Sequence, residues 1–549
     1  MLADEIRKVI KGEVENSEET LQKYSRDASL FEVKPEVVVY PKDSADIQAL
    51  VKYVNKNKRN YFELSLTPRS GGTDMTGGPL NDSIIIDMTR HFKKIGRIGK
   101  DSATTQPGVY YRDFDKKTLE YGLIMPSYPA SREICTVGGM VANNAGGEKT
   151  LLYGKTEDFV MELKCVLSDG KEYTFKPLTR AEFLKKIKQR NLEGKIYREI
   201  SRLIDKNYDL LKKAKPNVSK NSAGYYLWNV WDPKTKKFDL TKLIVGSQGT
   251  LGIVTEIKFR LVPVKKHDRL IAIFLRKRDI PRLPEIVNTV LKHKPDEFES
   301  YDDQTLKLAI KYFPDIARIM KAKNALKLVL QFWPEFIMGI RSLGLPKLVL
   351  LVNFAGDEAV PINQKLDSLS VELKNMRLIH RVTKDVEEQK YWTIRRESFN
   401  LLRHHLHGLR TAPFIDDFVV RPEYLPEFLP KLNAILKKYP IFYTIAGHMG
   451  DGNFHIIPLM NMDDIKSKEI IFRLLDEVTE LIIQYKGSIT GEHNDGLIRT
   501  SYLPKMYGEE VYKLFKRVKE IFDPQNIFNP RKKVNGDMEY VKNHIIRKN

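Results

Sequence analysis

The sequence predicts an α+β protein of more than one domain, and three observations carry that expectation. Short apolar runs alternate with helix-patterned stretches through the first half of the chain, which argues a mixed helix-and-sheet domain. A Pro/Lys stretch at Pro263-Val264-Lys265-Lys266 interrupts the pattern, and a fresh strand-like run, Leu270-Ile271-Ala272-Ile273-Phe274-Leu275, restarts it. The chain has 549 residues, enough for two or three domains with full hydrophobic cores.

Taken in order, residues 1–33 read as a polar helical lead-in. Glu36-Val37-Val38-Val39-Tyr40-Pro41 reads as a buried strand closed by proline, and Ser44 to Asn55 as a serine-capped helix. Tyr61 to Leu66 is strand-like, Ser70 to Gly78 is a glycine-rich loop, and Ser83-Ile84-Ile85-Ile86-Asp87-Met88 is a further strand. A second glycine-rich stretch runs from Thr136 to Gly147, before a strand over 159–167 and the turn Ser168-Asp169-Gly170. The following segment is Lys-rich and helical in pattern, and glycines return from Gly246 to Gly252. The expected organisation is a lead-in (1–33), a first domain (34–265), a second domain (266–535) and a basic tail (536–549).

Composition narrows the function classes. Forty-two per cent apolar and 30 % charged residues suit a soluble globular chain. The net charge is +21, but the 92 Lys and Arg are spread along the whole chain. Without a zinc-finger, basic-zipper or RRM signature, nucleic acid is not the expected partner. Two cysteines, Cys135 and Cys165, cannot hold an iron–sulfur cluster or a disulfide framework, so a reducing, cytoplasmic setting is expected. No secretory signal and no run of about twenty apolar residues is visible. Within 307–348, Lys307, Lys311, Arg318, Lys321, Lys323 and Lys327 lead into an apolar stretch with Phe332, Trp333 and Phe336. That pattern suits a peripheral contact with the inner, anionic face of a membrane; the ordinary alternative is a core helix plus a loop.

Two motifs carry chemistry. Gly447-His448-Met449-Gly450-Asp451-Gly452-Asn453-Phe454-His455 places two imidazoles seven residues apart, and Gly491-Glu492-His493-Asn494-Asp495-Gly496 adds a carboxylate and a third imidazole. Two His and one Glu can hold a divalent metal with open positions, leaving His493 to move a proton. Arg69-Ser70-Gly71-Gly72-Thr73-Asp74 opens a loop whose glycines would let backbone N–H groups approach pyrophosphate. It is neither a P-loop nor a Rossmann fingerprint. Gly138 to Gly147 and Gly246 to Gly252 repeat that chemistry, and three such loops exceed ordinary turn use.

With these motifs in order, the chain resembles the FAD-binding oxidoreductases of the vanillyl-alcohol oxidase/PCMH type. It is most similar to the GlcD-like branch of D-lactate, glycolate and D-2-hydroxyglutarate dehydrogenases. The resemblance runs from Tyr24-Ser25-Arg26-Asp27-Ala28-Ser29 to Phe522-Asp523-Pro524-Gln525-Asn526-Ile527-Phe528-Asn529-Pro530. It implies a PCMH-type two-subdomain FAD-binding domain and an α+β cap domain with an antiparallel sheet. A C-terminal helical segment would return to the flavin. It further implies that Arg69, Ser70, Gly71, Gly72, Thr73 and Asp74 wrap the FAD pyrophosphate. Pro129, Ser131, Thr136, Gly138, Gly139, Asn143, Gly146, Tyr153, Gly154, Gly249, Ile253, Val254 and Asn494 would line the rest of the cofactor. Relatives that tether FAD covalently often carry His where this chain has Thr73, so non-covalent FAD is expected.

The same resemblance implies zinc or manganese on His448, His455 and Glu492, with His493 as catalytic base. A D-2-hydroxy acid would be oxidised to the 2-oxo acid by hydride transfer to flavin. Arg395, in Tyr391-Trp392-Thr393-Ile394-Arg395, would clamp the substrate carboxylate, with Tyr225 of Lys220-Asn221-Ser222-Ala223-Gly224-Tyr225 nearby. Quinone, an electron-transfer flavoprotein or an iron–sulfur subunit would take the electrons.

Some positions depart from the family pattern. Phe399 and Ile415 stand where 2-hydroxyglutarate enzymes place Thr and Lys for the distal carboxylate, leaving Arg396, Arg403 or Arg410 for that task. Arg403-His404-His405-Leu406-His407 reads as polar surface, its side chains fanning around a helix axis. Arg531 replaces the glycine of the usual N-P-G-K ending. Two other classes share the expected fold: an alkylglycerone-phosphate synthase-like lipid enzyme, and a flavoprotein subunit docking on an iron–sulfur partner.

Overall fold

The computed structural model describes residues 2–319, 345–383, 388–396 and 408–546. Three sheets organise it, and the α+β expectation holds. The first is four-stranded. Its centre, Ile84–Asp87, pairs in parallel with Val37–Tyr40 on one side and Leu66–Arg69 on the other. The helix Ser44–Asn57, capped by Asp43, crosses between those two outer partners. Its residues Ile47, Leu50, Val51 and Val54 are buried at i, i+3, i+4, i+7 spacing. The all-apolar run of the central strand follows from burial on both faces of a parallel sheet.

The lead-in differs from the expected form. Glu13–Glu15 is a strand that adds antiparallel to Val37–Tyr40, and Ala3 and Ile6 join the core beneath that sheet. The first residues are therefore part of the first unit. The third strand also begins later than expected. Tyr61 and Phe62 are exposed, and pairing starts at Leu66. Pro68 lacks an N–H, which suits this edge position.

The second sheet is antiparallel and five-stranded, with Ile253–Arg260 at its centre and Val160–Val166 beside it. Three helices, Arg180–Ile187, Leu192–Lys206 and Tyr208–Ala214, form the Lys-rich stretch. The third sheet is eight-stranded, and every pair in it is antiparallel. His267–Leu275, Leu348–Gly356, Glu297–Asp302 and the hairpin Phe442–His448/Asn453–Met460 run consecutively across it.

The C-terminal helix Glu509–Phe522 leads back to the first sheet. Leu66 N–H donates to Ile527 O, and Asn529 Nδ2 donates to Gly78 O and Gln248 O. The tail does not hang free: Met538–Asn543 is a helix, with Val541 and Ile545 buried. No helix among the described residues is long and apolar enough to cross a membrane. The apolar aromatic part of 307–348 and the run from Arg403 to His407 lie outside the described residues, as does Phe399.

Candidate active site

Each chemistry-bearing motif is shaped by its local fold. The two-His motif is a β-hairpin: His448 ends one strand and pairs opposite Asn453, while His455 pairs opposite Ala446. His448 and His455 thus share one face of the sheet as diagonal neighbours. Their rings sit 5.3 Å apart at 87°. The turn between them needs Gly452, whose φ of +64° lies in the left-handed region.

The Gly491–Asn494 loop is folded around one carboxylate. Asp417 accepts N–H bonds from Gly491 (3.0 Å), Glu492 (2.8 Å) and His493 (2.7 Å), and a hydroxyl bond from Thr490 (2.7 Å). Burial alone would raise its pKa. The charges of His493 and His455 outweigh that and hold the carboxyl well below its ordinary range. The cradle brings Glu492 and His493 to the hairpin. His493 stacks on His455 at 5.1 Å between ring centres.

Candidate metal donors of His448, His455 and Glu492 lie within 4.8 Å of one another. The chemistry of this set fits a divalent ion: imidazole nitrogens and a carboxylate converge, and the buried Nδ1 of His455 has no hydrogen-bond partner. Two further triads, Asp416/His455/His493 and Asp417/Glu492/His493, meet the same distance criterion. Burial disfavours charge on His448, yet Glu299 and Glu492 outweigh it and push its pKa up to about 9. Burial drives His455 down to about 3, helped by its two imidazole neighbours. Burial opposes charge on His493 as well, but Asp417 and Asp416 lift it to about 9.

Several neighbours were not singled out from sequence. Asp416 Oδ2 pairs with His493 Nδ1 at 2.7 Å, and its Oδ1 accepts from Arg499 at 2.6 Å. Glu299 pairs with His448 Nδ1 at 2.5 Å and with Arg395 at 3.1 Å. Lys220, fully buried, donates to Glu492 at 2.5 Å and pairs with Asp451 at 3.1 Å. One available signal was buried-strand acidity. Glu297 and Glu299 are buried in a strand with Phe298 and Tyr301, and a strand rarely spends such positions on carboxylates without partners.

The expected site residues divide by place. Arg395 lies against the cluster through Glu299. Tyr225 does not join it: the side chain is in the core, its hydroxyl bonded to Thr250 Oγ1 at 2.6 Å and its ring edge-on to Phe515. Lys220, five residues earlier, is what that segment delivers. Arg396 is held by Glu148 through two bonds of 3.0 and 2.6 Å, and Arg410 is exposed at the sheet edge. Ile415 is buried in the core behind Asp416.

The three glycine loops meet. Asp74 Oδ1 accepts from Asn143 Nδ2 (2.6 Å), and Gln248 Nε2 donates to Asn143 Oδ1 (3.2 Å). Asn494 donates to Asn143 O (3.1 Å) and Gly246 O (2.9 Å). Ser70, Gly71, Gly72 and Thr73 form a partly exposed loop facing residues 134–136. The Arg69 guanidinium packs against Gly72 and donates to Tyr24 O and Arg26 O. The second loop is partly helical, Val137–Asn143, because Thr136 caps it by accepting from Gly139 N–H. Gly138 and Gly139 thus open a helix. Pro129 and Ser131 precede this helix; Gly146, Tyr153 and Gly154 follow it. Gly249 turns into the strand carrying Ile253 and Val254, of which Ile253 is fully buried. This is a cradle for a bulky anionic cofactor. A Cβ at Gly139 would meet only Thr136 Oγ1, at 3.4 Å, so its face is open to a ligand. A Cβ at Gly146 would lie 3.1 Å from Glu492 Oε1, so the cradle and the histidine cluster adjoin.

Comparison with known proteins places this architecture. Residues 35–176 match the FAD binding domain family and residues 282–533 match the FAD linked oxidases, C-terminal domain. The chain belongs to the FAD-linked oxidases. The family assignment agrees with its relatives. The chain is 28 % identical over 532 residues to a D-2-hydroxyglutarate dehydrogenase of Pseudomonas putida, covering 95 % of this chain and 50 % of that protein. It is 25 % identical over 504 residues to a D-lactate dehydrogenase of Archaeoglobus fulgidus, covering 91 % of each. The chain therefore spans about half the length of the D-2-hydroxyglutarate dehydrogenase it matches. Among solved structures, p-cresol methylhydroxylase shares the fold with a TM-score of 0.67 at 14 % identity, over 98 % of this chain and 96 % of that one. The PCMH-type fold expected from the motifs is thus borne out.

Proposed function

We propose that this chain oxidises a D-2-hydroxy acid to the corresponding 2-oxo acid. The observation that carries the reading is the adjacency of the His448/His455/Glu492 set to the glycine cradle, joined at Gly146. FAD, held non-covalently by the cradle, would supply the two-electron acceptor. A divalent ion, zinc or manganese, on His448, His455 and Glu492 would supply a Lewis acid for the substrate hydroxyl.

The chain's own residues do the remaining work. Asp416 engages His493 Nδ1, which leaves Nε2 to take the hydroxyl proton once the imidazole has lost its own; a divalent ion beside it would favour that neutral form against the carboxylates that otherwise lift the group to about 9. Arg499 holds the Asp416 carboxylate in place, and that carboxylate orients the imidazole and favours the imidazolium once it forms. Arg395, beside His448 through Glu299, binds the substrate carboxylate. Asn494, bonded to both glycine loops, fixes the base against the flavin side. Arg396 makes two bonds to Glu148, so the distal carboxylate of a longer substrate would fall to other groups.

A quinone, an electron-transfer flavoprotein or an iron–sulfur subunit would take the electrons. A lipid-transferase reading is not favoured, because the donor set suits a metal-assisted oxidation. A peripheral membrane contact through 307–348 remains part of the proposal, and deletion of 315–345 should then abolish pelleting with anionic vesicles.

The decisive experiment is anaerobic mixing with D- and L-2-hydroxy acids, before and after chelator treatment. D-Lactate should bleach the flavin band, and the chelator should suppress it. If none of the acids bleaches it, the assignment falls.

A further inference from the structure

Glu299 touches both proposed ends of the substrate site. It sits on the strand Glu297–Asp302, between the strands Leu348–Gly356 and Phe442–His448, and its side chain is 2 % exposed. Oε1 pairs with His448 Nδ1 at 2.5 Å, and Oε2 pairs with Arg395 at 3.1 Å. Both oxygens are therefore acceptors, each facing a donor from a different element. The strand fixes one partner through backbone pairing with the hairpin: Ser300 pairs with Gly447 and Tyr301 with Ala446.

We infer that Glu299 is a positioning residue that sets His448 and Arg395 as one unit. By engaging Nδ1 it fixes the tautomer of His448 and leaves Nε2, 3.3 Å from Glu492 Oε1, as the nitrogen that turns to the metal. By holding the Arg395 guanidinium it sets the distance between the carboxylate clamp and the Lewis acid. A 2-hydroxy acid carries its carboxylate and hydroxyl on adjacent carbons, so that distance is the first thing its site must fix.

The chemistry explains why a carboxylate is required. A carboxylate offers two acceptor oxygens; the glutamine amide offers one acceptor and one donor group. Glu299→Gln keeps the volume, but with its oxygen on Arg395 its NH2 must face His448 Nδ1, which forces the ring proton onto Nε2 and removes that nitrogen as a ligand.

The proposal rests on the reading of His448, His455 and Glu492 as metal-holding, and the test separates the two. Zinc affinity is measured by chelator competition on the FAD-loaded protein without substrate, for wild type, Glu299→Gln, Glu299→Asp and His455→Ala. Kinetics with D-lactate and the far-ultraviolet circular dichroism of each variant accompany it. Glu299→Gln should retain FAD and helicity, bind zinc about 10- to 100-fold more weakly, and raise KM. Glu299→Asp, which restores both acceptors, should recover part of the zinc affinity. Wild-type zinc affinity in Glu299→Gln, with His455→Ala impaired, overturns the role of Glu299 alone. Wild-type affinity in His455→Ala overturns the metal reading and this proposal with it. If Glu299→Gln does not fold, a Glu299→Asp protein that binds zinc no better than His455→Ala likewise overturns it.

Discussion

His493, the proposed base, is held by two carboxylates. Its Nδ1 is taken by Asp416, and its backbone N–H by Asp417. Removing the imidazole while sparing that frame isolates the proton transfer, so His493→Ala should keep FAD bound yet slow flavin reduction by D-lactate about 10²- to 10⁴-fold. Stopped-flow reduction at wild-type rate in that variant would remove His493 from the chemistry. Asp27 offers a test of a different kind. It is half-buried near Asp74, and its Oδ2 is buried with no hydrogen-bond partner. Burial first, then the charge of Asp74, lifts its pKa to about 7, against about 4 for an unfolded Asp. A raised carboxyl binds its proton more tightly in the folded state, so its stabilising contribution is full below about pH 4 and is lost as pH climbs towards 7. Asp27→Asn should therefore gain thermal stability over wild type as pH rises from 5 to 7.5, with the gap levelling beyond that. A melting-temperature difference that is flat across those pH values would contradict the assignment. Arg531 shows a residue held against its preference. Its φ is +67°, a conformation that costs about 1–2 kcal/mol in an L residue, at the position where resembling chains place glycine. A bond to Glu63 at 2.9 Å and stacking over Tyr540 at 4.1 Å offset that cost, so the ending keeps its turn without the glycine.

At the scale of elements, the glycine loops can be tested by placing one methyl group. The backbone around Gly139 leaves room for a Cβ, whereas at Gly138 it would collide with Pro107 O at 2.6 Å. Gly139→Ala should therefore fold with little loss and show weakened FAD binding, measured by flavin fluorescence titration. Gly138→Ala should lose about 1–3 kcal/mol of stability through overpacking. Equal FAD affinity in Gly139→Ala and wild type would separate that glycine from the cofactor. This contrast also explains which parts could be read from the chain alone. Ile84–Asp87 was legible because a strand buried on both faces reads as an apolar run, here Ile84-Ile85-Ile86. The strand at Leu66 was placed too early, because Tyr61 and Phe62 have strand propensity but are exposed, and pairing with Ile84–Asp87 decides the register. The hairpin with His448 and His455 announced itself by glycine-bounded repetition. Asp416 did not, and Glu299 did so only as an acid in an otherwise buried strand, because a brace is defined by what it touches elsewhere in the fold. Nothing in the local sequence of Asp416 points to His493, 77 residues away. Tyr225 was chosen over Lys220 on segment likeness alone, and the fold reversed them: the tyrosine fills core and the lysine meets Glu492.

At the scale of the whole molecule, the reaction needs the cradle and the eight-stranded sheet to stay in register, and charged pairs tie them. Glu148 follows directly on Gly146-Gly147, and Arg396 follows directly on Arg395, so the Glu148–Arg396 contact joins the flavin side to the carboxylate clamp. Lys149 adds a second tie to Glu297 at 3.3 Å. Burial would raise the pKa of Glu148, but Arg396 outweighs it and lowers the group below its ordinary range. A depressed carboxyl stabilises the fold above its unfolded pKa of about 4.3 and loses that contribution as pH falls through the folded value. The tie thus holds across the neutral range. Arg396→Met keeps most of the side-chain stem but leaves the Glu148 charge, 12 % exposed, without its main partner. Unfolding of the FAD-loaded variant in urea should show a loss of about 1–3 kcal/mol, and flavin release should come earlier in the titration than in wild type. In Glu148→Gln/Arg396→Met part of that loss should return, because no stranded charge is left behind. If Arg396→Met unfolds at the wild-type midpoint with flavin release unchanged, the pair is only a surface contact. Alignment of base, clamp and cradle must then come from sheet and loop packing.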